Sequence, residues 1–87
     1  MKIPKKIKVG ARIYTVKIVD IIKDDCTGLT THSDLTIQIK KGNQQSMEHT
    51  FCHEIFHAFQ GGMAENQVEA LAGNLHEFII DNPEVVK

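Results

Sequence analysis

Hydrophobic and polar positions follow two different periods along this 87-residue chain, and the change comes near Gly42. Before Gly42, apolar and polar residues largely alternate, which is the period-2 pattern of a half-buried β-strand. After Gly42, apolar residues recur every three or four positions, as they do along one face of an α-helix. The pattern therefore predicts an α+β fold in which a small sheet precedes the helices.

The first half of the chain contains four candidate strands arranged as two hairpins. The first hairpin covers residues 5–9 and 12–19, with a glycine-containing turn between its strands. The second covers residues 29–32 and 35–40, on either side of Ser33-Asp34, a pair typical of turns. We therefore expect a largely antiparallel sheet of three or four strands.

The second half contains two amphipathic helices. Met47, Phe51, Ile55 and Phe59 are spaced four residues apart and predict a helix over residues 45–60, which Gly61-Gly62 ends. A second apolar stripe predicts a helix over residues 65–81, and it consists of Val68, Leu71, Ala72, Leu75, Phe78 and Ile79. About four residues join the helices, so we expect a helical hairpin that packs through both stripes on one face of the sheet.

Composition places the chain among ordinary globular proteins. Hydrophobic residues make up 41% and charged residues 24%, which excludes a disordered or multidomain chain and predicts one domain over residues 1–87. No apolar run approaches the roughly 20 residues that span a bilayer, and residues 1–10 lack the core of a signal peptide. We therefore expect a cytoplasmic protein without membrane contact, in which Cys26 and Cys52 are reduced thiols.

Charge divides unevenly between the two halves. Residues 1–41 carry nine Lys or Arg against four acids, whereas residues 42–87 carry seven acids against Lys87 alone. The lysines are dispersed along strand-like sequence with one aromatic residue, Tyr14, so solvated outer faces of a sheet are favoured over a nucleic-acid surface. Salt-dependent retention on DNA would identify the nucleic-acid alternative.

The first helix carries the pattern H-E-x-x-H in His53-Glu54-Ile55-Phe56-His57. Histidines at positions i and i+4 lie one turn apart on the same helix face, so both imidazoles can reach one Zn²⁺. Glu54 lies about 100° around the helix from His53, where its carboxylate can accept a proton from a water beside the metal. The alternative interpretation is three solvent-facing polar residues on an amphipathic helix.

A third protein ligand would complete a catalytic zinc site, and Glu69 is the candidate. His57 lies three residues before the end of the first helix and Glu69 about four after the start of the second, so the two lie at similar depth. Glu65 and Glu77 have a less suitable depth or direction. The alternative for Glu69 is an exposed glutamate on the helix surface.

These motifs carry a family resemblance over most of the chain. The segment from His53-Glu54 to His57-Ala58, followed by Gln67-Val68-Glu69-Ala70-Leu71-Ala72 and by Asp81-Asn82-Pro83-Glu84, resembles small phage-encoded metallopeptidase-like proteins. Those proteins are similar to the ImmA/IrrE and SprT-like zincin groups. The resemblance implies a minimal zincin fold with His53, His57 and Glu69 as zinc ligands and Glu54 as general base. It also implies a zinc metallopeptidase acting on a peptide or protein substrate.

A second catalytic residue is expected at His76, in place of the tyrosine that the resemblance would suggest. His76 follows Glu69 by seven residues, so both side chains leave the second helix on the same face. A side chain that reaches back toward the helix N-terminus could donate a hydrogen bond to the oxyanion of the tetrahedral intermediate. The alternative is an ordinary surface histidine.

Two interpretations of function stay open at this stage. The first is peptide hydrolysis, with the substrate lying antiparallel to an edge strand formed by residues 35–40 or 29–32. The second is a regulatory module that keeps the zinc site but binds a protein without cleaving it, because so short a chain has little material for specificity pockets.

Four other residues are expected to have structural roles only. His49 is interpreted as a polar helix residue or as a contact to a metal ligand, and His32 as a surface strand residue. Cys52 is interpreted as a small buried residue and Tyr14 as part of the sheet packing.

Overall fold

The computed structural model describes residues 2–86, apart from the side chain of Val86. Met1 and Lys87, the ends of the expected single domain, lie outside the described residues. The elements are β1 (Lys6–Val9), β2 (Arg12–Val19), β3 (Gly28–Thr31), β4 (Thr36–Lys40), α1 (Gln44–Phe59) and α2 (Glu65–Asp81). Two short 3-10 segments cover Lys23–Asp25 and Pro83–Val86. The predicted α+β class is confirmed, and the second helix has the predicted bounds.

The four strands form one mixed sheet in the order β1-β2-β4-β3. Both predicted hairpins are present as antiparallel pairs, but the two central strands, β2 and β4, run parallel, with Val16 opposite Ile37. Two of the three strand pairs are antiparallel, as expected, and the parallel central pair makes the sheet mixed. After β2 the chain crosses to the far edge to form β3, and β4 then returns between β3 and β2. The edge strand next to the helices is therefore β3.

Helix α1 packs directly on one face of the sheet. Asn43 caps its first turn, because the side-chain oxygen accepts a hydrogen bond from the backbone N–H of Ser46 at 2.8 Å. Phe51 on α1 is buried in one core with Tyr14, Ile37 and Ile39 from the sheet. Packing on the sheet therefore determines the position of α1, and with it the positions of the His53, Glu54 and His57 side chains.

Helix α2 packs on α1, so the two helices do not share the sheet face as predicted. Val68 and Ala72 are completely buried, whereas Leu71 is 43% and Phe78 50% exposed. Four strands with three spacings are only about 14 Å wide, which leaves room for little more than one helix about 10 Å in diameter. Part of the apolar stripe on α2 consequently faces solvent.

No helix within residues 2–86 has the length and apolar character needed to cross a membrane.

Candidate metal centre

Two rows of side chains face each other across the α1–α2 interface. Helix α1 presents His49, His53 and His57 at four-residue intervals, and α2 presents Glu65 and Glu69 at the same interval. Each glutamate lies between two histidines: Glu69 contacts His49 and His53, and Glu65 contacts His53 and His57. Four-residue spacing on both helices therefore produces an antiparallel ladder of imidazoles and carboxylates.

Three side chains of this ladder form a cluster suited to a metal ion. The Nε2 atoms of His53 and His57 lie 3.2 Å apart. One oxygen of Glu65 lies 2.6 Å from Nε2 of His53, and the other lies 3.0 Å from Nε2 of His57. Ligands of a tetrahedral zinc ion at 2.0–2.1 Å are about 3.3 Å from each other, so His53, His57 and Glu65 fit one ion with only small adjustment.

The structure places Glu65, and not the expected Glu69, against both Nε2 atoms. Glu69 instead lies behind His53, with Oε2 2.8 Å from Nδ1. The prediction placed the end of the first helix and the start of the second at the same height. In the structure Glu65, the first residue of α2, contacts both His53 and His57. The stagger of the hairpin therefore differs from the assumed one by about one helical turn.

Histidine contacts stabilise the charged form of Glu69. Oε1 lies 2.8 Å from Nε2 of His49, and this hydrogen bond is the main reason why the pKa of Glu69 falls below its ordinary value. Partial desolvation opposes the decrease, and the second contact, with His53, supports it. Carboxylates therefore lie against both nitrogens of His53; a metal ion bound at Nε2 would leave the ring proton on Nδ1, where Glu69 accepts it and orients the ring.

Glu54 lies beside this cluster, buried against strand β3. Only 5% of the residue is exposed, and Oε1 accepts a hydrogen bond of 2.7 Å from the hydroxyl of Thr30. Oε2 lies over Gly28, where a Cβ atom would come within 2.8 Å of it. A glycine at position 28 thus provides the space that the carboxylate occupies.

A cleft of about 830 Å³ connects these groups, and it runs between α1, the start of α2 and edge strand β3. We call it the β3 cleft; its lining includes Cys26, Gly28, Thr30, His32, Ser46, His49, His53, Glu54, His57, Gly61, Glu65 and Glu69. The cleft is large enough for a ligand of several residues. Of the two strands considered as the substrate edge, the structure places β3 there, while β4 lies inside the sheet.

His76 does not line the β3 cleft, which corrects the expectation that it faces the zinc ligands. It is 7% exposed, and Nε2 lies 3.2 Å from Oε1 of Glu48, which is also buried. His76 does lie on the face of α2 that carries Glu65 and Glu69, but it is two turns farther along. There α2 lies opposite Glu48 and His49 of α1, and the imidazole ring of His49 packs edge-on against that of His76.

The two thiols differ in their surroundings, and neither is part of a disulfide. Cys52 is buried as expected, and burial together with the nearby charge of Glu48 raises its pKa to about 11. Cys26 is partly exposed and lines the far end of the β3 cleft.

Comparison with known proteins finds no matching family model, curated protein or solved structure.

Sequence reasoning missed the positions of Glu65, beside His53 and His57, and of Thr30, beside Glu54. The sequence did contain a signal for Glu65. Histidines recur every four residues on α1, and two glutamates on α2 are also four residues apart. No comparable signal existed for Thr30, since only the packing of β3 beside α1 brings its hydroxyl to Glu54.

Proposed function

We propose that this protein is a zinc-dependent metallopeptidase with a minimal zincin-type fold. The supporting observation is that His53, His57 and Glu65 converge at one point of the β3 cleft while the carboxylate of Glu54 is held in the same cleft by Thr30. A site that only stabilised the fold would have a fourth protein ligand and would need no buried carboxylate beside the ligands.

The donor set fits zinc. Two imidazole nitrogens and one carboxylate are ligands that zinc prefers, and three protein ligands leave a fourth position for water or substrate. Bound there, zinc would supply Lewis acidity to a substrate carbonyl and make a nearby water more acidic. Glu69 would orient the His53 ring for this binding through its contact with Nδ1.

Glu54 serves as the general base in this proposal. It follows His53 directly, so its side chain leaves α1 about 100° away and reaches the cleft beside the ligands. The hydroxyl of Thr30 occupies Oε1, and Oε2 over Gly28 is the atom that accepts the proton from the attacking water. The same oxygen then delivers this proton to the leaving amine.

Strand β3 offers a place for the substrate. It is an edge strand, so the backbone groups on its outer side are available to an extended peptide. Gly28 and Thr30 of this strand contact Glu54 directly. A peptide paired with β3 would therefore bring one of its bonds to the general base.

The test compares wild type with Glu54→Gln for zinc content and for hydrolysis of unfolded casein. The variant should retain one zinc per chain, because Glu54 is not a ligand, and should lose activity by a factor of about 10² or more. Glu77→Gln, an exposed change on α2, is the control and should keep both properties. If zinc is present and wild type is as inactive as Glu54→Gln, the peptidase proposal fails and a zinc-containing binding module replaces it.

A further inference from the structure

His32 lies at one end of the β3 cleft, immediately after the edge strand. Its Nδ1 atom lies 3.1 Å from the hydroxyl of Tyr14, and the two rings meet edge to face. His32 is exposed, whereas Tyr14 is completely buried in the sheet core. A rigid residue of the core thus holds an imidazole at the mouth of the cleft.

The Tyr14 contact determines which nitrogen of His32 carries the proton. Within residues 2–86, Nδ1 of His32 is the one hydrogen-bond partner of the Tyr14 hydroxyl. If Nδ1 carried a proton and donated it, the buried O–H of Tyr14 would have no acceptor, which is costly. The hydroxyl therefore donates to Nδ1, and the proton of the neutral ring is on Nε2.

Nε2 points to the end of the cleft where α1 gives way to the interhelical connection. A Cβ atom on Gly61 would lie 3.1 Å from Nε2, so the absence of a side chain at position 61 leaves space beside this nitrogen. Cys26, just before β3, and Ser46, in the first turn of α1, line the opposite end of the cleft. Both elements therefore run along the cleft in the same direction. His32, directly after β3, lies at the Gly61 end of the cleft.

We propose that His32 is a substrate-binding residue whose Nε2–H donates a hydrogen bond to a backbone carbonyl of the bound peptide. The inference rests on the proposed peptidase function. His32 follows Thr30 by two positions, with Thr31 between them, about 6.6 Å of extended chain. The donor therefore meets the peptide about two residues away from the bond opposite Glu54, and Tyr14 is a positioning residue that acts through His32.

The experiment measures binding of fluorescein-labelled unfolded casein to the zinc-loaded Glu54→Gln protein by fluorescence anisotropy. In this background the probe is bound but not cleaved. His32→Phe, which keeps a ring but removes the donor, should raise Kd about fivefold, the effect of one hydrogen bond. Tyr14→Phe should raise Kd about twofold, and it should have no further effect when His32 is already phenylalanine.

A second measurement needs neither metal nor peptide. Long-range ¹H–¹⁵N correlation spectra of wild type at pH 8 should show the proton of the His32 ring on Nε2. A proton on Nδ1 would overturn the inference, as would equal casein affinity with and without the His32 imidazole while the parent protein binds casein. If the zinc-loaded parent protein does not bind casein at all, the peptidase proposal fails, and this inference fails with it.

Discussion

Oε2 of Glu69 lies 2.8 Å from Nδ1 of His53, on the side of the ring opposite the nitrogen that faces Glu65 and His57. The carboxylates of Glu65 and Glu69 therefore contact different nitrogens of the same imidazole ring. Because a metal ion binds only the nitrogen without a proton, the proposed ion at Nε2 would give the two glutamates different roles. Glu65 has the position of a ligand, and Glu69 has the position of a group that orients one.

Separate substitution of the two glutamates should distinguish these roles. Glu65→Gln removes a ligand and should weaken zinc binding by more than 10²-fold, while Glu69→Gln should weaken it by about 10- to 100-fold. Competition with a chromophoric chelator measures both dissociation constants. Glu77→Gln is the control on the same helix. The reverse order of effects would make Glu69 the ligand.

Removal of the Thr30 hydroxyl should reduce turnover without releasing zinc. Thr30→Val keeps the shape of the side chain but deprives Oε1 of Glu54 of its donor, and hydrogen bonds to charged groups are worth about 1.5–3 kcal/mol. We expect kcat on unfolded casein to fall about tenfold or more at unchanged zinc content. Thr31→Val, one position along the same strand, is the matched control. Comparable losses in both variants would contradict a specific contact with Glu54.

His76→Phe should destabilise the protein but leave the chemistry of the cleft intact. The change removes the histidine that hydrogen-bonds one oxygen of buried Glu48, and a hydrogen bond to a charged group is worth about 1.5–3 kcal/mol. Chemical denaturation measures the cost, while zinc content and kcat of the folded fraction should stay near wild type. A large decrease in kcat in well-folded protein would restore His76 to a catalytic role.

Glu48 should also make stability depend on pH in the acidic range. Burial raises its pKa, but hydrogen bonds from Gln44 and His76 outweigh this effect, so the pKa lies below the ordinary value of 4.5. A lowered pKa in the folded state contributes stability above about pH 4.5, and this contribution disappears as pH falls through the folded-state value. Denaturation of metal-free protein between pH 6 and 3 should therefore show a shallower loss in Glu48→Gln than in wild type.

The two cysteines should react at very different rates with iodoacetamide at pH 7.5. Cys52 is buried with a pKa of about 11, so little of it is thiolate, whereas Cys26 is partly exposed at the cleft. Mass spectrometry should find one label on the folded protein, at Cys26, and two after unfolding. Rapid labelling of Cys52 in folded protein would show that the α1 interface opens.

Local spacing was enough to predict the helices and the pairing of His53 with His57 on one helix face. An i, i+4 relation brings His53 and His57 together in any α-helix, and the second helix ends before Asn82-Pro83 for reasons contained in those residues. The hairpins likewise follow from alternation and turn residues, so both were found. All of these features depend on neighbours within a few positions.

The tertiary structure decided every relation between distant segments. Parallel pairing of β2 with β4, the stagger that brings Glu65 to His53, and the burial of His76 against Glu48 all depend on how complete elements pack. The sequence by itself determined which residues share a helix face, because the helical period is a local property of the backbone. Packing of α2 on α1 determined the depth at which the two helices meet, and a shift of about one turn exchanges Glu69 for Glu65 beside both His53 and His57.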